Sequence, residues 1–137
     1  MKNLNMMKKL LLLLVCGIAM VACHENLEQR AARQAKEFTQ KNCPSAIRDN
    51  VRTDSLTYDE ATRTLIYSYT LFNELDDSAN MKAQEAKSVE GLRNALTRDI
   101  SMKTYKDAGF NIRYVYHSNK KPQLILLQKT FTPEEYQ

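Results

Sequence analysis

The chain predicts an α+β domain ordered αββαββ: a four-stranded, mainly antiparallel sheet with helices packed on one face. Three observations carry this expectation. Leu65, Tyr67, Tyr69 and Leu71 alternate with Thr64, Ser68 and Thr70, the period of a strand with one buried face. Phe110, Ile112, Tyr114 and Tyr116 alternate with Asn111, Arg113 and His117 in the same way. Ahead of each strand pair, apolar residues recur at steps of three and four, the period of a helix with one buried stripe. A length of 137 residues allows one domain. Three Gly without a cluster exclude a Gly-rich phosphate loop, and two His with three scattered Cys exclude a zinc-finger or disulfide-dense scaffold. The patterned apolar residues exclude disorder throughout.

In chain order, residues 1–22 stand apart. Lys2, Lys8 and Lys9 make a basic start with no acid, and Leu10 to Ala22 is an unbroken run of apolar or small residues. Thirteen helical residues reach only ~20 Å, whereas a bilayer core needs about 20 residues. The run is too short for a transmembrane helix and fits a signal-peptide core. It ends Met20-Val21-Ala22-Cys23, which resembles the lipobox of bacterial lipoproteins, with Met20 where Leu is usual. The resemblance implies a leader removed at 1–22, diacylglycerol on Cys23, an acylated amine, and an anchor at 23–25 ahead of a single domain at 26–137. The alternative is an ordinary secretory leader with an incidental Cys. Two or more acyl chains hold a protein stably on a membrane, so the first expected partner is the membrane, through lipid on Cys23. His24, followed by Glu25, stands where an Asp favours inner-membrane retention in such lipoproteins, which by resemblance implies the outer membrane, facing periplasm or cell surface.

The leader also owns most of the charge. Without Lys2, Lys8 and Lys9 the balance falls from +4 to +1. No basic patch remains to argue for nucleic acid. With Cys16 in the leader and Cys23 acylated, Cys43 is the single free thiol and no internal disulfide is expected.

The domain opens with a helix from about Asn26 to Asn42, whose narrow stripe is Leu27, Ala31, Ala35 and Phe38. Asn42-Cys43-Pro44 ends it, because the residue before Pro avoids helical angles. Val51 to Tyr58, interleaved with Arg, Thr and Asp, reads as an edge strand guarded by charge. Asp59-Glu60-Ala61 is a turn and Thr62 to Phe72 the second strand. After a polar Glu74–Asn80 segment, in which Asp77 or Ser78 can cap a helix, Met81, Val89, Leu92, Leu96 and Ile100 mark a helical face with a break near Thr97-Arg98-Asp99. Gly109 can take the left-handed angles of a helix stop, with Phe110 covering the last turn. The hairpin that follows joins Phe110–His117 through Ser118-Asn119-Lys120-Lys121 to the run Leu124-Ile125-Leu126-Leu127, which suits a central strand or one covered on both faces. Pro133 to Gln137 reads as a polar tail.

Asn42-Cys43-Pro44, then Asp49, Thr53, Ser55 and Tyr58, then Leu65–Leu71, then Ile112-Arg113-Tyr114-Val115-Tyr116 form a spaced pattern. It resembles a family of small exported bacterial proteins and lipoproteins with no assigned activity, over roughly Asn42 to Phe131. The motifs are structural, a Pro at a helix end and Tyr-x-Tyr strands, so the resemblance brings no catalytic residues. The Gly often found in the family's last hairpin turn is absent here and Asn119 stands near its place, which bears on the turn type and not on the hairpin.

Chemistry-bearing residues are few. Cys43 and His117 are the one thiol and imidazole pair in the domain, but Cys43 at a helix end reads as a small apolar filler and His117 as a solvated strand end. Glu74, Asp76 and Asp77 form the tightest acidic cluster; without the turn Gly of a calcium loop they read as a solvated loop, so no metal and no cofactor are expected. Tyr67, Tyr69, Tyr114 and Tyr116 are the possible binding face: if their strands are neighbours, four Tyr share one sheet face, either as core or as a ligand platform. The expected function is a non-enzymatic, membrane-anchored envelope lipoprotein that binds or supports an envelope protein partner. An inhibitor or immunity-type protein against a secreted enzyme or toxin is the alternative, and a Cys43-dependent enzyme the third class.

Overall fold

The computed structural model describes residues 24–137. The leader read at 1–22 and the acylation site read at Cys23 lie outside the described residues.

Helix α1 (Leu27–Asn42) begins with a reciprocal cap: the Gln29 N–H donates to the Asn26 side chain at 2.7 Å, and the Asn26 N–H donates to the Gln29 side chain at 3.1 Å. Ala31 and Ala35 bury its stripe, and Cys43 ends it in extended backbone ahead of Pro44. Strands β1 (Val51–Asp59) and β2 (Thr64–Leu71) form an antiparallel hairpin. A 3-10 turn at Asn73–Leu75 leads to α2 (Ser78–Ala83), capped by Asp77, whose side chain accepts from the N–H groups of Ala79 and Asn80. Helices α3 (Glu85–Arg98) and α4 (Lys103–Asp107) follow, and Gly109 at φ +75° turns the chain as the sequence requires. Strands β3 (Asn111–Ser118) and β4 (Ile125–Phe131) make the second hairpin, and α5 (Pro133–Tyr136) closes the chain.

The sheet order is β1-β2-β3-β4, antiparallel in both hairpins and parallel between β2 and β3. Helices α2 to α4 carry the chain back to the start of β2, which is what a parallel neighbour requires. The core lies between one sheet face and the helices, at the end where β2 and β3 begin. Leu65, Ile112 and Phe131 of the sheet meet Ala31, Ala35, Leu96, Met102, Tyr105 and Tyr136 of the helices around Phe110.

Four local readings are corrected. Ile100 does not extend the helical face: α3 stops at Arg98 and Ile100 is 87% exposed in the following turn. The Leu124–Leu127 run is not central. Strand β4 is the outer strand, with Leu124 40% and Ile125 47% exposed, and only Leu127 and Phe131 buried. The C-terminal residues are not a free tail, because Tyr136 is buried and its hydroxyl donates to the Phe110 carbonyl at 2.6 Å. Thr64 and Thr70, on the polar side of β2, are buried as well. Thr70 Oγ1 donates to Asp54 at 2.6 Å and accepts from Arg52 at 3.3 Å, so polar side chains lie flat over that face.

Strand β1 is an edge, as expected, but charge is not its main guard. From Val51 to Leu56 its outward main chain is already bonded. Val51 exchanges two hydrogen bonds with Arg48, each 2.9 Å; the Ser45 N–H donates to the Thr53 carbonyl and the Ser45 hydroxyl accepts from the Thr53 N–H, both at 2.9 Å. The Thr39 hydroxyl of α1 donates to the Leu56 carbonyl at 2.7 Å and accepts from the Leu56 N–H at 2.8 Å.

Candidate functional site: a tyrosine ladder under an apolar groove

The parallel register sets Tyr67 opposite Tyr114 and Tyr69 opposite Tyr116. Side chains alternate across a sheet, so the four rings share the helix-bearing face. Centroids are 5.5 Å apart for Tyr67–Tyr114 and 4.9 Å for Tyr69–Tyr116, with planes 17° and 15° from parallel. Tyr67 and Tyr69 stack at 6.4 Å along the strand, joining the pairs into one ladder. The Tyr67 hydroxyl donates to Met102 Sδ at 3.2 Å. All four residues are half-buried. Burial is the main cause that raises their phenols above the ordinary value near 10. Tyr67 and Tyr116 are pushed up to about 12; Tyr69 and Tyr114 move the same way, with neighbouring tyrosines adding to the effect. The ladder is therefore neutral at physiological pH, presenting ring faces rather than phenolates.

At its Tyr116 end the ladder runs into an apolar groove of about 330 Å³. Leu71, Tyr116 and Leu127 form the floor. Met81 of α2 with Ser88 and Leu92 of α3 form the wall, and Val51 and Leu75 close one end. Gly91 faces the groove from the middle of α3, and a Cβ built on it meets no heavy atom within 4 Å. Sequence patterning marked Met81 and Leu92 as core-facing and missed Leu75, Gly91 and Leu127 as groove residues. The available signal was Gly91 itself, since Gly inside a helix costs stability relative to Ala.

The remaining candidates fall elsewhere. Cys43 sits at the end of α1, and burial with the nearby Asp54 charge raises its thiol pKa, the direction opposite to an activated thiolate. His117 lies on the other sheet face, between Thr70 of β2 and Ile125 of β4. Among the described residues no hydrogen bond joins it to Cys43. In the acidic cluster Asp76 is not a solvated loop residue. It is buried and accepts from the Lys120 N–H at 2.8 Å, tying the approach to α2 onto the β3–β4 turn. Among the described residues no His, Cys, Asp and Glu group of metal-binding size forms, and no helix is long and apolar enough to cross a membrane.

The chain that builds this sheet belongs to a known family. The profile described as "Domain of unknown function (DUF8479)" matches residues 26–127, so the chain is a member of that family. No curated protein matches it. Among solved structures, a candidate secreted protein of Pseudomonas aeruginosa is similar at TM-score 0.65 and 12% identity, covering 82% of this chain and 98% of its own. The type 2 secretion system pilotin EpsS of Vibrio vulnificus is similar at TM-score 0.58 and 12% identity, covering 81% and 92%. The type II secretion system pilotin AspS of Vibrio cholerae is similar at TM-score 0.57 and 13% identity, covering 85% and 98%. At these identities the likeness is one of fold.

Proposed function

We propose that the protein is a membrane-anchored, non-enzymatic accessory lipoprotein of the bacterial envelope that holds an apolar segment of another envelope protein in the Tyr116–Leu92 groove. The observation that carries this is the groove itself: an apolar trough with an aromatic floor, a helical wall and a glycine that leaves the wall open. Two of the structures with this fold are pilotins of a secretion system, which supports an accessory role. The position of α1 supports tethering. Its first turn lies by the β1–β2 turn, where Arg63 pairs with Glu28 at 3.0 Å, and the groove lies toward the opposite strand ends at Val51 and Leu71. Sixteen helical residues span ~24 Å, so lipid on Cys23 would leave the groove facing away from the bilayer.

The test is recovery of bound envelope proteins with the full-length chain from detergent-solubilised membranes, comparing Tyr116→Ala with Cys43→Ala. Folding of each variant is checked by circular dichroism. The groove reading expects Tyr116→Ala to lose the recovered protein and Cys43→Ala to keep it. A folded Cys43→Ala that loses it, beside a Tyr116→Ala that does not, overturns the reading. Fatty-acid labelling that persists in Cys23→Ser overturns the anchor separately.

A further inference from the structure

The two edges of the sheet are treated differently. On β1 the outward main chain of Val51, Thr53 and Leu56 is taken up by Arg48, Ser45 and Thr39. On β4 nothing does this among the described residues. The direction of each β4 residue follows from the ladder. The Ser118 N–H donates to the Leu124 carbonyl and the Asn111 N–H donates to the Arg63 carbonyl, so even residues of β3 turn toward β4 and odd residues toward β2. Leu127, Lys129 and Phe131, the β4 partners of Tyr116, Tyr114 and Ile112, therefore bond inward. Gln128 and Thr130 turn their N–H and C=O groups outward. An unprotected edge of this kind is a template for another strand.

We infer that β4 pairs with β4 of a second copy, antiparallel and about a two-fold axis at Gln128, to give a continuous eight-stranded sheet. Two features select this occupant. First, the closed β1 edge forbids head-to-tail addition of one copy's β4 to the next copy's β1. Self-pairing is then restricted to β4 with β4, which is two-fold and closed rather than fibre-forming. Second, the charge pattern is self-compatible. The strand holds one charged residue, Lys129, which Glu135 neutralises at 2.7 Å. An axis at Gln128 sets Lys129 opposite Leu127 of the other copy and meets itself only at an exposed, uncharged amide. An axis at Lys129 would instead oppose two ammonium groups, and its main chain bonds inward. This interface is separate from the groove and does not rest on the groove reading.

The probe is the full-length protein itself, carrying Cys43→Ala to remove the domain's free thiol. Across a two-fold antiparallel pair, Cα atoms at the axis stand about 5.5 Å apart, within disulfide reach. Gln128→Cys should form a disulfide-linked species of twice the chain mass on mild oxidation. The Cys43→Ala parent and the exposed α2 variant Lys82→Cys should not. Light scattering in detergent should give two chains per particle for the parent and one for Gln128→Lys, which opposes two charges at the axis without touching the fold. Gln128→Pro, which removes the outward N–H donor, should likewise give one. A monomeric parent, or cross-linking of Gln128→Cys no greater than that of Lys82→Cys, overturns the proposal. So does a two-chain mass that survives in both Gln128→Lys and Gln128→Pro.

Discussion

Tyr69 of β2 and Tyr116 of β3 stand opposite each other in a parallel ladder, rings 4.9 Å apart and 15° from parallel. The pair sits where the packed core gives way to the groove. Offset aromatic pairs contribute about 0.5–1.5 kcal/mol beyond their burial. A double-mutant cycle with Tyr69→Ala and Tyr116→Ala, read by urea unfolding, should return a coupling in that range. A coupling near zero would show that the rings share a face without stabilising one another.

The raised phenols of the ladder predict an alkaline limit to stability. Tyrosines of the unfolded chain ionise near 10, whereas Tyr67 and Tyr116 hold their protons to about 12. Above about pH 10 the unfolded chain thus binds fewer protons than the folded one, so stability falls as pH rises. The contribution is fully present below pH 10 and is lost progressively toward 12. Urea midpoints should therefore be flat from neutral pH to the onset of tyrosine ionisation and then drop. Tyr67→Phe with Tyr116→Phe should lessen the drop relative to the parent, because lysine titration in the same range is common to both proteins. An unchanged slope would show that the ladder is solvated.

Closure of the β1 edge depends on one hydroxyl at Leu56. Thr39→Val keeps the shape and deletes both hydrogen bonds, leaving the Leu56 N–H and C=O unpaired beside α1. Unmade bonds of partly buried groups cost about 1–3 kcal/mol. We expect a destabilisation of that order in urea, restored by Thr39→Ser, together with concentration-dependent light scattering from the freed edge. A stable Thr39→Val that scatters no light would show that α1 packing, and not the hydroxyl, closes the edge.

How far the chain could be read in advance follows from the range of the signals. Gly109, the Cys43-Pro44 stop and the alternation in β2 and β3 are local, and the structure keeps them all. The alternation also placed Tyr67, Tyr69, Tyr114 and Tyr116 on one face once their strands are neighbours, but no local pattern makes them neighbours. That depends on where three helices return the chain. The Leu124–Leu127 run looks doubly covered because its period is lost, whereas its exposed residues belong to an open edge. Tyr136 reads as part of a polar tail because its burial rests on distant partners, the core around Phe110. The groove was the least legible feature, since its lining comes from residues up to 76 positions apart, Val51 to Leu127.

Gly91 offers the sharpest test of what the groove is for. In a helix interior Gly is disfavoured by about 1 kcal/mol relative to Ala, and here a Cβ has nothing within 4 Å to strike. On stability alone, Gly91→Ala should therefore raise the unfolding free energy by up to about 1 kcal/mol. Gly91→Trp should fold as well as the parent, because its ring lies in the groove rather than in the core around Phe110 and Phe131. If the groove is a binding trough, however, Gly91→Trp fills it. The variant should keep its urea midpoint and lose the protein recovered from solubilised envelopes, while Gly91→Ala raises the midpoint and keeps the protein. A stable Gly91→Trp that recovers the same protein in the same amount would move the binding surface away from the groove. A Gly91→Ala with no gain in stability would show that α3 needs the glycine for its backbone, and that the open wall is a consequence of helix geometry rather than room for a ligand.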